Sequence, residues 1–305
     1  MRQKALFLVN RQARRGENNI DIAVQSLSRL GFELIEETTE DPEQLSQVIR
    51  DYAGRVDLVI VGGGDGTLNA AIAGLIETQL PLGILPLGTA NDLARTLKIP
   101  PSIPEACQVI AGRNVERIDI GSVNDHYFFN VASFGLSVEI TQKLTKQAKR
   151  RWGSLAYAIA AIQALWQTRP FTAHIQTGDR VETVKAIQVA VGNGLYYGGG
   201  LAVAQDATID DERLDLYSLE ISRWWQLIKL LPAMYKGRHH ALNFVHTQQG
   251  QEFVVHTNRT FPINTDGEIT TTTPAHFKIL PKAIAILRPY PVVVPVRGSA
   301  RAIGG

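Results

Sequence analysis

Residues 58–67 read Leu58-Val59-Ile60-Val61-Gly62-Gly63-Gly64-Asp65-Gly66-Thr67. The apolar run has the texture of a strand buried on both faces, and Leu68–Ile76 shows apolar residues at helical spacing. Four glycines in the six positions between them let the backbone turn sharply and approach a ligand that side chains would keep away. A glycine-rich turn from strand to helix aims free N–H groups and a helix N-terminus at one point, which suits a phosphate. Asp65 is out of place there, because a carboxylate beside phosphate is repulsive unless a cation such as Mg²⁺ lies between them. An ordinary tight turn with a capping Asp needs only one glycine. The chain has no Gly-x-x-x-x-Gly-Lys-Ser/Thr string, and Gly62–Thr67 lacks the dinucleotide spacing Gly-x-Gly-x-x-Gly.

Outward from this turn, the first part of the chain alternates strand and helix signals. Ala5–Val9 is predicted as a strand, Ile20–Leu30 as a helix, Phe32–Glu36 as a strand, Pro42–Ala53 as a helix, and Leu82–Leu85 as another apolar strand. This pattern predicts an α/β domain with a parallel sheet and helices on both faces. Ligands in such sheets gather beyond the carboxyl ends of the strands, where the glycines fall. After Asp119 the pattern becomes short alternating runs: Tyr127–Val131, Thr172–Gln176, Ala186–Val191, Leu214–Leu219, Phe253–Thr257, Phe277–Leu280 and Ala283–Leu287. They predict an antiparallel β-sandwich, interrupted by helical stretches over 137–167 and 224–240. The expected division is 1–122 and 123–288, with the tail 289–305 running back to the first domain.

A length of 305 residues favours two domains, and 45% hydrophobic with 20% charged residues describes an ordinary globular chain. A net charge of +2 and no extended basic face argue against nucleic-acid binding. The single cysteine, Cys107, excludes an internal disulfide and fits a reducing cytoplasm; within the helical stretch Pro104–Ile110 it reads as a buried thiol. The N-terminal apolar run is too short for an export signal. The uncharged stretches 152–168 and 186–205 carry too many glycines and polar residues to span a bilayer. The expectation is a soluble protein that touches a membrane peripherally. Lys143, Lys146, Lys149, Arg150 and Arg151 followed by Trp152, and Trp224-Trp225 with Lys236–His240, form either solvated or core positions or an anionic membrane contact. A homodimer is compatible with the chain, and nothing in the sequence selects it over a monomer.

A second turn, Leu87-Gly88-Thr89-Ala90-Asn91-Asp92-Leu93-Ala94-Arg95, again follows a strand, and the two turns would form opposing walls of a cleft. These residues resemble the signatures of the diacylglycerol kinase catalytic domain and the YegS-like lipid kinases, as does Asp266-Gly267-Glu268. The likeness spans roughly residues 4–290. The glycine-Asp-glycine motif alone is shared with NAD kinases and phosphofructokinases; the three signatures in this order are more specific.

The resemblance implies an ATP-binding first domain of NAD kinase/phosphofructokinase-like fold and a β-sandwich second domain that takes a lipid substrate at a membrane surface. Gly62, Gly63, Gly64, Asp65, Gly66, Thr67 and Leu68 would cradle the nucleotide, with Thr38, Thr89 and Asn91 as further contacts; Thr39 adjoins Thr38, so that register is open by one. Asp65, Asp92 and Asp119 fall at positions of a water-and-Mg²⁺ network. Asp211 with the carbonyls of Thr208 and Arg213 would hold a structural Mg²⁺, although Glu212 stands where the family carries glycine. Either Asp266 or Glu268 would be the base that accepts the lipid hydroxyl's proton. Asp-Gly is also the commonest hairpin dipeptide, and tight turns account for Asn193-Gly194, Phe129-Asn130 and Gly135. Two other readings stay open: a kinase for a soluble alcohol such as NAD, and a non-catalytic lipid- or nucleotide-sensing module.

Overall fold

The computed structural model describes residues 3–9, 16–38, 41–136, 138, 169–194, 196–197, 201–202, 208–220 and 244–290. The predicted helical stretches 137–167 and 224–240, and with them both basic-aromatic patches, lie outside the described residues apart from position 138, as does the chain from 291 onward.

The first part alternates β1 (Gln3–Val9), α1 (Gly16–Arg29), β2 (Phe32–Thr38), a 3₁₀ turn Pro42–Gln44, α2 (Leu45–Asp51), β3 (Leu58–Gly63), α3 (Asp65–Thr78), β4 (Leu82–Pro86), α4 (Asp92–Thr96) and α5 (Ile103–Gly112). All six residues of β3 are buried, as a central strand covered on both faces requires. It lies between β1 and β4 in parallel register, and the strand order is β2-β1-β3-β4. Order reverses between β1 and β3, so the glycine turn leaves the sheet at its topological switch point. Val9 pairs with Thr38 on one side and Gly62 on the other, which puts Thr38 about 10 Å from Gly62 at the same end of the sheet. Helix α1 buries Ile20, Ala23 and Leu27, the apolar stripe of an amphipathic surface helix.

The second part is antiparallel: β5 (Val115–Val123), β6 (His126–Phe128), β7 (Val131–Gly135), β8 (Phe171–Thr177), β9 (Arg180–Ala186), β10 (Gln188–Gly192), the short pair β11 (Tyr196–Tyr197) and β12 (Leu201–Ala202), β13 (Leu214–Leu219), β14 (Val245–Gly250), β15 (Glu252–Thr257), β16 (Pro262–Thr265), β17 (Glu268–Thr272) and β18 (Ala275–Leu287). One sheet runs β14-β13-β10-β7-β16-β17. It packs against β15, β8 and β18 through a core that includes Phe134, Phe171 and Phe261, whose ring centroids lie 4.3–5.9 Å apart. A sandwich of this kind was expected from the alternating runs.

The two runs 277–280 and 283–287 are one strand with a bulge. The first half of β18 pairs antiparallel with β15, while Ile286 pairs parallel with Leu82 of β4; β5 follows the other edge. One sheet therefore continues from the α/β part into the sandwich. The bulge sits at 280–284, opposite Asp119. Beyond it, the Arg288 N–H donates to the Asn114 carbonyl (3.0 Å) and the Tyr290 hydroxyl to the Gly112 carbonyl (2.9 Å), holding the strand's exit against the end of α5.

Cys107 lies fully buried on the inner face of α5, and burial pushes its thiol up to about 11. The thiolate is the reactive form, so an aromatic disulfide reagent at pH 8 should leave the folded protein unlabelled and titrate one thiol on unfolding. Rapid labelling of the native protein would contradict this packing.

Candidate active site

Among Gly62, Gly63, Gly64 and Gly66, none has a positive φ; close approach, rather than left-handed backbone, requires them. A Cβ on Gly62 would stand 2.9 Å from Val9 Cγ2, and one on Gly63 would stand 2.6 Å from Thr67 Cβ. A Cβ on Gly64 would meet Gly88 Cα at 3.1 Å, and one on Gly88 would meet Gly64 Cα at 2.4 Å. The two signature turns thus touch backbone to backbone. The Leu87 and Gly88 N–H groups both donate to the Gly63 carbonyl, at 3.0 and 3.2 Å. Three of the four glycines serve the protein's own packing. Gly66 alone faces something else: its absent Cβ would come within 3.2 Å of Glu268 Oε1, from the second domain.

Helix α3 begins at this turn with Gly64 as N-cap and no side chain capping it. Its first intrahelical bond is Leu68 N–H to the Gly64 carbonyl at 3.1 Å, so the N–H groups of Asp65, Gly66 and Thr67 are the ones an anion at the helix end can use. Asp65 Oδ1 accepts the Leu93 N–H at 3.1 Å, tying the start of α3 to the start of α4. Asn91, at φ 51°, braces the second turn: its Oδ1 accepts the Gly88 N–H (2.9 Å) and its Nδ2 donates to the Gly88 carbonyl (3.0 Å). Asn91, expected as a nucleotide contact, has its side-chain amide engaged with Gly88 here. Thr89 is exposed at the tip of that turn, and Thr38 is exposed at the end of β2.

The sandwich delivers two carboxylates on the β16–β17 hairpin. Asp266 at φ 49° and Gly267 at φ 110° make the left-handed turn that matches strand twist, and Asn264 Oδ1 accepts the Gly267 N–H at 2.9 Å. The Asp266 carboxylate is filled. Oδ1 accepts the N–H groups of Asn130 and Val131, both at 3.0 Å; Oδ2 accepts the Phe129 N–H at 2.7 Å and Asn69 Nδ2 at 3.0 Å. Burial at the junction nonetheless pushes it up to about 6, against the pull of those four donors. Among the described residues, no donor reaches the Glu268 side chain, which is exposed. Of the two carboxylates, that of Asp266 is engaged on both oxygens and that of Glu268 is exposed.

Asn69 was absent from the sequence reading. It stands one turn after Asp65 on α3, and its Nδ2 also donates to the Tyr127 carbonyl at 3.1 Å. The available signal was its i+4 spacing from Asp65, which places both on one helix face. Asn193 is structural: its buried Nδ2 donates to the carbonyls of Asp119 and Phe129, at 3.0 and 2.8 Å.

Of the residues expected to bind metal, Asp65 lies at the glycine turn and is half-buried. Asp92 is 4% exposed and pairs with Arg95 at 2.8 Å. Asp119 is fully buried. Its Oδ1 accepts the Lys282 N–H of the β18 bulge (2.7 Å) and its Oδ2 the Glu212 N–H (2.6 Å). Burial, opposed by those two bonds, raises its pKa. Both oxygens are used to satisfy irregular backbone, which explains a buried aspartate in mid-strand. At the Asp211 loop, the carboxylate accepts the N–H groups of Thr208 and Arg213, each at 3.3 Å. The Arg213 guanidinium stands 3.1 Å from it. The positive charge there comes from the loop itself, so a divalent ion would have to displace Arg213 and the fit is poor. Glu212 takes φ 59°, a left-handed conformation that glycine adopts without strain. Among the described residues no three His, Cys, Asp or Glu side chains gather as a metal-holding group.

An α/β body with an open helix N-terminus at its switch point, joined to a sandwich that reaches a free carboxylate back to it, is the arrangement of a two-lobed phosphotransferase. The family model of the diacylglycerol kinase catalytic domain matches residues 4–123, and that of the YegS C-terminal NAD kinase beta sandwich-like domain matches residues 130–288. A probable lipid kinase YegS-like from Chromohalobacter salexigens is 33% identical over 76% of each chain. A diacylglycerol kinase from Staphylococcus saprophyticus is 29% identical over 86% of this chain and 87% of its own. A crystal structure of a diacylglycerol kinase from Bacillus anthracis superposes with a TM-score of 0.76 at 26% identity, covering 95% of this chain and 98% of its own. The chain belongs to the diacylglycerol kinase/YegS family and is a lipid kinase; the NAD-kinase and sensing-module readings are not carried further.

Two predictions test the geometry. Gly88→Ala drives a Cβ into the Gly64 backbone and should cost about 1–3 kcal/mol or more in denaturant unfolding. Gly66→Ala, which meets only the end of a side chain, should unfold within about 1 kcal/mol of wild type, allowing for glycine's entropy. A carbon-13 titration of the aspartate carboxyls should show Asp266 with a midpoint near 6. Since an unfolded aspartate titrates at about 4, this group's contribution to stability is largest below about pH 4. It is lost as pH rises through about 6.

Proposed function

We propose that this protein transfers the γ-phosphoryl group of ATP to a hydroxyl of a diacylglycerol-like lipid or a phospholipid headgroup, with Glu268 as general base. The observation that carries this reading is the Glu268 carboxylate resting against Gly66 at the mouth of the α3 N-terminus. A base from one lobe thereby lies beside the phosphate-binding end of the other.

Phosphoryl transfer asks the protein for position and charge more than for covalent chemistry. The N–H groups at the start of α3 would hold the phosphates, and the missing side chain at Gly66 leaves room for them. Thr89, exposed on the adjoining turn, and Thr38, exposed at the same end of the sheet, would contact the rest of the nucleotide. Glu268 accepts the lipid hydroxyl's proton as the oxygen bonds to phosphorus. Asp266 cannot take that role while four donors occupy its oxygens, and Asp119 is sealed in the bulge.

A Mg²⁺ ion fits here only if the nucleotide's phosphates furnish most of its oxygens and Asp65 meets it directly or through water, which is the usual coordination of this ion. When bound, it would neutralise charge developing on the transferred group. Asp65 contributes the carboxylate and, through Leu93, keeps both turns in register. A lipid substrate requires contact with a bilayer surface. We take that contact to be peripheral; among the described residues no helix is long and apolar enough to cross a membrane.

The test is transfer of γ-labelled phosphate from ATP to lipids in mixed micelles, run with a lipid panel and with and without a chelator. Glu268→Gln should lower kcat by about 10²–10⁴-fold with little change in ATP binding. Undiminished turnover in that variant would remove Glu268 as the base; transfer unaffected by chelation would remove the metal.

A further inference from the structure

We infer that Asn69 is a positioning residue that clasps the base-bearing hairpin to the nucleotide-binding helix and so sets where Glu268 meets Gly66. The inference rests on the reading of Glu268 as base. Asn69 belongs to α3, whose N-terminus opens the site, yet the recorded bonds of its side-chain amide both cross to the other lobe. One goes to Asp266 Oδ2 at 3.0 Å and the other to the Tyr127 carbonyl at 3.1 Å.

Asp266 passes this hold on. It is tied to the N–H groups of Phe129, Asn130 and Val131, and its own N–H donates to the Val131 carbonyl at 3.0 Å. Glu268 follows two residues later, across a turn whose φ values of 49° and 110° allow little variation. With Asp266 held from α3, the Glu268 carboxylate arrives 3.2 Å from the point where a Gly66 Cβ would be. Without Asn69, the hairpin loses the bond that registers it against α3, and its attachment to residues 129–131, within its own lobe, opens more readily because the Asp266 carboxylate has lost one of its four donors. The position calls for a double donor, since both partners are acceptors. An aspartate of the same shape would set a carboxylate against a carboxylate and a carbonyl.

The experiment compares Asn69→Ala and Asn69→Asp, the latter preserving side-chain volume, with Glu268→Gln and the double variants. In the lipid phosphorylation assay each Asn69 variant should lose roughly tenfold to a hundredfold in kcat, the scale of a misplaced catalytic group, with the KM for ATP changed less than about twofold. On the Glu268→Gln background the same changes should cost little more, because no base remains to misplace. Multiplicative losses in the double variants would overturn the inference. Amide hydrogen exchange supplies a readout that needs no turnover. The N–H groups of Phe129, Asn130 and Val131 should exchange faster in Asn69→Ala, while those of β3 stay protected. Unchanged exchange at 129–131 would equally overturn it. If wild-type enzyme phosphorylated no lipid, the proposed function would fall, and the exchange comparison would still decide whether Asn69 holds the hairpin.

Discussion

One carboxylate organises the junction on which the site depends. Asp266 gathers three consecutive backbone N–H groups and the Asn69 amide, joining β16–β17, the β6–β7 connection and α3. Hydrogen bonds to an ionised group contribute about 1.5–3 kcal/mol each when nothing else satisfies the donors. Here the alternative is a row of unsatisfied N–H groups where two domains meet. The cost is a raised pKa from burial, and the gain is a rigid base for its neighbour. The two carboxylates of a three-residue motif thus differ by environment: that of Asp266 is engaged by four donors, and that of Glu268 is exposed.

The same logic recurs at Asp119. A bulge in β18 lets one strand pair with β15 in its first half and with β4 in its second. The irregular backbone of that bulge needs an acceptor, and Asp119 supplies it while also receiving the Glu212 N–H. An acidic residue at the end of an apolar run reads as a metal ligand when seen in sequence. It is buried and both its oxygens accept backbone N–H groups, an arrangement that only the pairing of residues 119 and 282 could disclose. The Asp211 carboxylate likewise has partners within its own loop, among them the Arg213 guanidinium.

The glycines, expected to let the chain turn sharply and approach a ligand, also permit contact within the protein: Gly64 with Gly88, Gly62 with Val9 and Leu87, Gly63 with Thr67. Two turns separated by more than twenty residues become one surface because neither carries a side chain at the crossing. That leaves Gly66 as the member facing the other lobe, where the N-terminus of α3 and Glu268 meet.

Periodicity and composition alone were enough for the parallel α/β part and the sandwich; the link between the glycine turn and a distant acidic hairpin came from the resemblance of those motifs to a family's signatures. Those signals are local: a buried strand is apolar on every residue, an amphipathic helix repeats near every fourth, and a close backbone approach demands glycine. Tertiary structure decided which of the Asp266 and Glu268 carboxylates is engaged, gave Asn69 its bridging position, engaged the Asn91 amide with Gly88, and set backbone donors on both Asp119 oxygens. Each of those outcomes depends on a hydrogen-bond partner 3–197 residues away, and an amino-acid string does not state which donors will be left without water when two lobes close on one another.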